Sequence, residues 1–224
     1  MSPTFGLIAE GITDQIILKN ILLGYFNDPD LIVKNLQPTD KTEDDDEKRQ
    51  FGGWYKVFKY CQDGDLISDF VFTDFLIIQI DSDIAHLTPF DVPQSPQETI
   101  TERILERLLA LVKIQTGEEE YELYSARIIF AISVDEIECW LLPLYYTNTI
   151  QAAVNNCLFK LNRQLPENSK IIPNNKQPRI YKNISSDFRK VRTFKNSYPK
   201  NPSLKTFIED LMLKVPIADI SDSD

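Results

Sequence analysis

No apolar run in this chain approaches the ~20 residues needed to cross a bilayer, so a membrane span is not expected. Only one histidine, His86, stands among 224 residues. It follows Asp83 and could shuttle a proton or ligate a metal, but a single loop histidine is more often incidental. Three cysteines, Cys61, Cys139 and Cys157, lie far apart, are odd in number and show no C-x-x-C spacing. They read as neither a zinc site nor a disulfide framework, and a reducing cytoplasm fits them best. The opening Met1-Ser2-Pro3-Thr4-Phe5-Gly6 has no basic region followed by an apolar one, so no secretory leader is expected. Ser82 and Ser133 have no His/Asp partners nearby in sequence, which argues against a serine nucleophile. The motif G-x-x-x-x-G-K-[ST] is missing, so a P-loop nucleotide site is not expected in this chain.

What is present is one globular core's worth of sequence. At 42% hydrophobic and 26% charged residues, the composition is ordinary for a folded domain with at most a small appended lobe. The net charge of −10 conceals an asymmetry. Residues 1–158 carry −16, residues 159–205 carry +10, and residues 206–224 return to −4. An acidic body that attracts cations, joined to a basic region that meets an anionic polymer, is the reading such blocks suggest.

The stretch Phe75-Leu76-Ile77-Ile78-Gln79-Ile80-Asp81-Ser82-Asp83 organises the chain. Its nearly continuous apolar run predicts a strand buried on both faces, as in a helix-covered parallel sheet. It ends in Asp81 and Asp83, which point the same way along an extended chain. Two neighbouring carboxylates repel unless a cation or proton lies between them, and Mg²⁺ is the economical candidate. Phe5-Gly6-Leu7-Ile8-Ala9 predicts a first strand ending at Glu10-Gly11, with Thr13 as N-cap and Asp14 in the first turn of a helix over 14–26. A second strand opens at Leu31-Ile32-Val33, residues 39–50 form a charged loop, and Trp54–Cys61 forms a short helix with an aromatic face. Residues 97–116 give the clearest helix, its stripe Ile100, Ile104, Leu108, Leu111 and Val112. Ile128–Ile132 predicts a fourth strand, followed by a helix that begins near Ser133–Trp140. Alternation of strand and helix makes a parallel sheet the natural architecture. From Asn155 to Pro202 no element stands out, Ser203–Leu211 looks like a last helix, and Ile217–Asp224 is an acidic tail. Trp54 and Trp140 are expected in the core, while Tyr145 and Tyr146 could serve either packing or binding.

Three predicted strands end in acids: Glu10, then Asp81 and Asp83, then Asp135, Glu136 and Glu138. In a parallel sheet these ends share one edge, where ligands collect. Two metals about 4 Å apart would suit phosphoryl transfer there.

Glu10-Gly11-Ile12-Thr13-Asp14 after the first strand, with Asp81-x-Asp83 after the third, resembles a TOPRIM domain, the metal-binding fold of topoisomerases, primases and OLD nucleases. The aspartate four residues after the glutamate is closest to the OLD-like branch. Ile137-Glu138-Cys139-Trp140-Leu141-Leu142 is similar to the E-x-W-L-L element of small stand-alone bacterial TOPRIM-like proteins. The resemblance covers about residues 5–145. It implies an α/β, Rossmann-like, mainly parallel four-stranded sheet flanked by helices over residues 1–148. A basic, partly helical C-terminal region, 149–224, packs on or beside it. It further implies a nuclease using Mg²⁺ or Mn²⁺, with Glu10, Asp81 and Asp83 catalytic and Glu10, Asp14, Asp81, Asp83 and Glu138 as ligands, Glu136 being the weaker candidate. The expected setting is cytoplasmic bacterial defence against phage beside a separate ATPase, with homo-oligomerisation left open. Such nucleases usually carry a basic helper near the metals, and none is visible in residues 1–145.

Aromatics interleave with charge in the basic region, which suits a nucleic-acid backbone and its bases. Lys182, Arg189, Lys190, Arg192, Lys195 and Lys200 are the expected contacts. A solvated basic face pairing with the acidic body is the equal alternative there. For the whole chain the alternative is a non-catalytic TOPRIM-like module that binds metal or a partner.

Overall fold

A computed structural model describes residues 2–39, 53–62, 66–84 and 97–215. His86, the charged loop from residue 40 on, Pro89, Pro93 and Pro96, and the acidic tail lie outside the described residues. The first half runs β1 (Phe5–Ile8), α1 (Ile12–Phe26), β2 (Val33–Gln37), α2 (Gly53–Gln62), α3 (Leu66–Asp69), β3 (Phe75–Asp81), α4 (Gln97–Thr116), α5 (Glu118–Tyr124) and β4 (Ile128–Ser133). The second half holds short helices: α6 (Leu142–Tyr145), α7 (Cys157–Gln164), α8 (Pro178–Ile184), α9 (Val191–Ser197) and the longer α10 (Pro202–Lys214). Every strand pair is parallel, and the order across the sheet is β2-β1-β3-β4.

Helices cover both faces of the sheet, which explains why the strands read as continuous apolar runs. Leu7, Ile77, Ile129 and Ala131 point to one face, where they meet α1, the 137–142 segment and helices α7 to α10. Ile8, Leu76, Ile78, Ile80, Ile128 and Ile132 point to the other, where they meet α2, Leu66, Phe70 and the Ile104-Leu108-Val112 stripe of α4. Trp140 is fully buried, stacked on Phe207 at 5.4 Å, with its indole N–H donated to Ser203 Oγ at 2.8 Å. Trp54 packs partly buried against the α2 side of the core.

The helix α1 is buried along nearly its whole length because α8 and α9 cover the side turned away from the sheet. At Gly24 the close approach is literal: a methyl there would overlap the carbonyl oxygen of Phe188. Asn20, buried mid-helix, donates to Ser185 Oγ and accepts from Arg189 Nε, both at 2.6 Å. Tyr25 donates its hydroxyl to the carbonyl of Val215 at 3.1 Å. The stretch 155–202, where sequence periodicity fails, is thus a series of short helices anchored on α1 and on the 137–142 segment.

Three local expectations need correcting. Thr13 is not the N-cap: Gly11 holds that position in an extended conformation, and Thr13 lies buried in the first turn, its hydroxyl 3.4 Å from Asp14 Oδ1. After β4 the chain does not enter an α-helix at once. Asp135 takes a left-handed conformation with φ 68°, which aspartate tolerates better than most residues, and Glu136 is extended. A 3₁₀ turn over Ile137–Leu141 follows, so the helical spacing assumed between Asp135 and Glu138 does not apply. The cysteines are not all free. Cys139 and Cys157, both fully buried, form a disulfide that ties this 3₁₀ turn to the start of α7, and Cys61 remains a buried thiol. Their separation in sequence hid a pairing that the 3₁₀ turn and α7 create in space.

Candidate metal centre

In the strand order, the chain leaves β1 toward β2 on one side and returns to β3 on the other, so the crossovers diverge between β1 and β3. A crevice outside the carboxyl ends of those strands is where open α/β sheets take ligands. Glu10 follows β1 and Asp81 ends β3, which puts both at that point.

Glu10 accepts the backbone N–H of Asp81 on Oε1 at 2.8 Å, and its own N–H is donated to Gln79 Oε1 at 3.2 Å. The Gln79 amide in turn donates to Asp81 Oδ1 at 2.8 Å, and the Ser133 hydroxyl at the end of β4 donates to the same oxygen. Asp14, in the first turn of α1, is buried beside them. Gly53 at the start of α2 abuts the Glu10 carbonyl so closely that no side chain would fit. Asp83 lies exposed in the 3₁₀ turn Ser82–Ile84, where its N–H reaches the Asp135 carbonyl at 3.1 Å.

Glu138 enters from the 3₁₀ turn after β4 and is 0% exposed. Its Oε1 accepts from Lys176 Nζ at 2.6 Å and from the Tyr181 hydroxyl. Its Oε2 is buried with no hydrogen-bond partner. Both donors belong to the C-terminal region: Lys176 precedes α8 and Tyr181 is a fully buried residue on it. Lys176 thus brings a cation to these acids from outside the first 145 positions.

The electrostatics reflect burial and the crowding of like charge. Burial pushes Glu10 up to about 8, with Asp14 and Asp83 adding to the effect and the Asp81 N–H opposing it. Burial and the Glu138 charge push Asp14 up to about 7. Asp81 is raised well above the usual carboxylate range by burial, then by Glu10, Asp14 and Glu138. Burial alone would lower Lys176, but Glu138, Asp14 and Asp81 outweigh it and hold the ammonium charged. The donor set suits a hard divalent cation: several carboxylates, with the unpartnered Glu138 Oε2 as a buried oxygen in need of one.

The acids are gathered around the crevice without having collapsed onto one point. Among the described residues, the group of three candidate ligands already within 4.8 Å of one another is Asp135, Cys139 and Cys157, and there the sulfurs are joined to each other. Glu136 is turned elsewhere: its Oε1 accepts the Leu158 N–H at the start of α7 at 2.8 Å.

None of the expected nucleic-acid contacts is bonded to these acids among the described residues. Lys182, Arg189, Lys190, Arg192, Lys195 and Lys200 are exposed on α8, α9 and the turns beside them. Two are engaged locally, Arg189 with Asn20 and Lys190 with Asp187 at 2.7 Å. Tyr145 and Tyr146 use their hydroxyls within the fold, on the carbonyls of Ile184 and Lys160, both at 2.8 Å.

Sequence reasoning missed Gln79, Ser133, Lys176 and Tyr181 as members of the site. A glutamine inside an otherwise apolar strand was a usable signal, because a buried amide needs partners. Lys176 sits in an aperiodic stretch with no such mark. No family model, curated protein or solved structure matches this chain.

Proposed function

We propose that this chain is a metal-dependent nuclease of the TOPRIM kind, which hydrolyses phosphodiester bonds with Mg²⁺ or Mn²⁺ held by Glu10, Asp14, Asp81, Asp83 and Glu138. One observation carries the reading: carboxylates from the ends of β1 and β3, the turn after β4 and the start of α1, three of them buried, gather with the Lys176 ammonium at the switch point of a parallel sheet. A divalent cation in such a place supplies Lewis acidity toward a phosphoryl oxygen and lowers the pKa of a water.

The chain's own groups do the rest. Gln79 and Ser133 fix the Asp81 carboxylate, and the Asp81 N–H fixes Glu10, so the acids need little reorganisation as charge develops. Glu10 keeps Oε2 free of the Asp81 bond and is the group placed to take and return a proton. The Lys176 ammonium offers a positive charge to a non-bridging phosphate oxygen. The exposed basic residues of α8 and α9 hold the backbone of the polymer. A separate ATPase as partner, and a role in bacterial defence, belong to the same proposal through the TOPRIM resemblance. No helix among the described residues is long and apolar enough to cross a membrane.

The test is cleavage of plasmid, linear duplex and single-stranded DNA and of tRNA with Mn²⁺ or Mg²⁺, with and without an ATPase encoded beside it. Cutting that needs the metal and vanishes in Glu10→Ala is expected. Cutting that persists in Glu10→Ala would come from elsewhere. If nothing is cut even with the partner present, the chain is a binding module.

A further inference from the structure

We propose that Lys176 is a permanent cation of the acid cluster, standing in for a second divalent ion, so that the site takes one Mg²⁺ or Mn²⁺ among Glu10, Asp14 and Asp81. This rests on the metal reading above and narrows it to one ion and three of its five ligands, in place of the two-metal arrangement expected from the sequence.

The argument begins with the acids at the end of β4, which a second ion would need. Glu138 Oε1 already receives Lys176 Nζ at 2.6 Å together with the Tyr181 hydroxyl, and Glu138 has no exposed surface. Glu136 is bonded to the Leu158 N–H. Asp135 has its carboxylate against the backbone N–H of Asn156 and the charge of Lys160. The oxygen left over at this end is Glu138 Oε2. One oxygen is a poor basis for a cation that requires near-octahedral oxygen coordination.

The sheet side differs. Glu10 and Asp81 each have one carboxylate oxygen held by protein donors and the other without a bond from the described residues, and Asp14, buried in the first turn of α1, is close enough for its charge to act on both. Carboxylate oxygens completed by waters are the usual coordination of Mg²⁺.

Lys176 is also held in place. Ahead of it, Ile171 is clamped by the Asn162 side chain through both its N–H and its carbonyl, each at 2.8 Å, and Ile172 bridges to Asn175. Behind it, Pro178 starts α8, which carries Tyr181 to the same Glu138 oxygen. The lysine side chain is 32% exposed and its carboxylate partner sealed. Breaking such a pair would leave a buried charge uncompensated, so the ammonium stays when an ion arrives. A fixed point charge serves as a second ion would in neutralising a phosphate, yet it neither exchanges nor activates water.

The experiment is Mn²⁺ binding to the full chain, read by the electron paramagnetic resonance of free and bound ion. One Mn²⁺ per chain is expected, with the spectrum of an isolated ion. Lys176→Arg should also bind one, and Lys176→Met should bind a second or show at least a tenfold change in affinity for the first. Two Mn²⁺ in the parent, or a spin-coupled pair, overturns this proposal alone. So does Lys176→Met binding one ion with the parent's affinity. No binding by the parent overturns the metal reading itself and this proposal with it.

Discussion

Glu10 and Asp81 are joined by a bond between a side chain and a backbone: the glutamate after β1 accepts the peptide N–H of the aspartate that ends β3, at 2.8 Å. The bond fixes where one carboxylate stands relative to the other across the two neighbouring strands. It also keeps two acids together that would otherwise repel, and the cost appears in their protonation.

Without metal, stability should fall as pH rises. Glu10, ordinarily near 4.5, is pushed up to about 8, and Asp14, ordinarily near 3.8, to about 7, in both cases by burial first. A raised folded-state pKa means that folding takes up protons. That stability is complete below the unfolded values and is lost as pH climbs through the folded ones. Lys176, raised as a cation, contributes stability that persists across this window. Thermal melts in chelator from about pH 4 to about pH 8 should therefore decline more in the parent than in Glu10→Gln. A parent curve no steeper than that of the variant contradicts the buried-acid account.

Divalent metal should reverse that decline. At about a hundredfold over Kd, a bound ion adds about 2.7 kcal/mol. For a domain of this size that is roughly 5–10 °C in melting temperature. The gain should grow with pH, since the ion needs deprotonated ligands. Asp81→Ala with Asp83→Ala should show no gain and, in chelator, should melt no lower than expected for the missing Ser133 and Gln79 bonds.

Glu136→Ala separates a capping role from a ligand role. The Leu158 N–H at the start of α7 loses its acceptor, which should cost about 1 kcal/mol in urea unfolding. Mn²⁺ affinity should stay within about twofold. A tenfold loss of affinity would make Glu136 a ligand after all.

Gly24→Ala tests how firmly the C-terminal helices sit on α1. The added methyl overlaps the Phe188 carbonyl, a backbone atom that cannot rotate aside, and overpacking of this kind costs about 1–3 kcal/mol or more. Urea midpoints should fall accordingly, and an unchanged midpoint would mean that the two segments part easily.

Arg192, Lys195 and Lys200 are the basic residues to neutralise, since Arg189 and Lys190 already have partners within the fold. Replacing all three with Gln should flatten the salt dependence of duplex binding by up to about 2.7 log units, at ~0.9 for each phosphate that no longer meets a cation. Cleavage at saturating substrate should be little affected. An unchanged salt slope would assign these residues to a solvated face.

The strands were legible because burial on both faces writes itself as unbroken apolar runs, and Phe75–Asp81 is the plainest case. The shared direction of the strands in one parallel sheet then placed Glu10, Asp81 and Glu138 at the same edge. What could not be read was whatever depends on meeting in space. Tyr181 looked like an aromatic among lysines suited to bases, yet it is sealed against Glu138. Cys139 and Cys157 looked unrelated until the 3₁₀ turn met α7. Asp135 offered no sign of its left-handed backbone, and with it the assumed helix face around Glu138 dissolved.

The burial of α1 has one more consequence. Asp14 stands at one end of it and Tyr25 near the other, about 16 Å away at 1.5 Å per residue. Phe194 of α9 packs on Tyr25 with ring centroids 6.1 Å apart, so the exposed cations of α9 are fastened to the far end of the rod. Because Gly24 and Asn20 lock that rod to its neighbours, the acid crevice and the exposed cations of α9 keep a constant spacing. On the nuclease reading α1 then acts as a gauge, setting a fixed offset between the place where a polymer is held and the place where it is cut. Fragment ends, mapped against the position of a single high-affinity contact, would carry that offset as a signature of the fold.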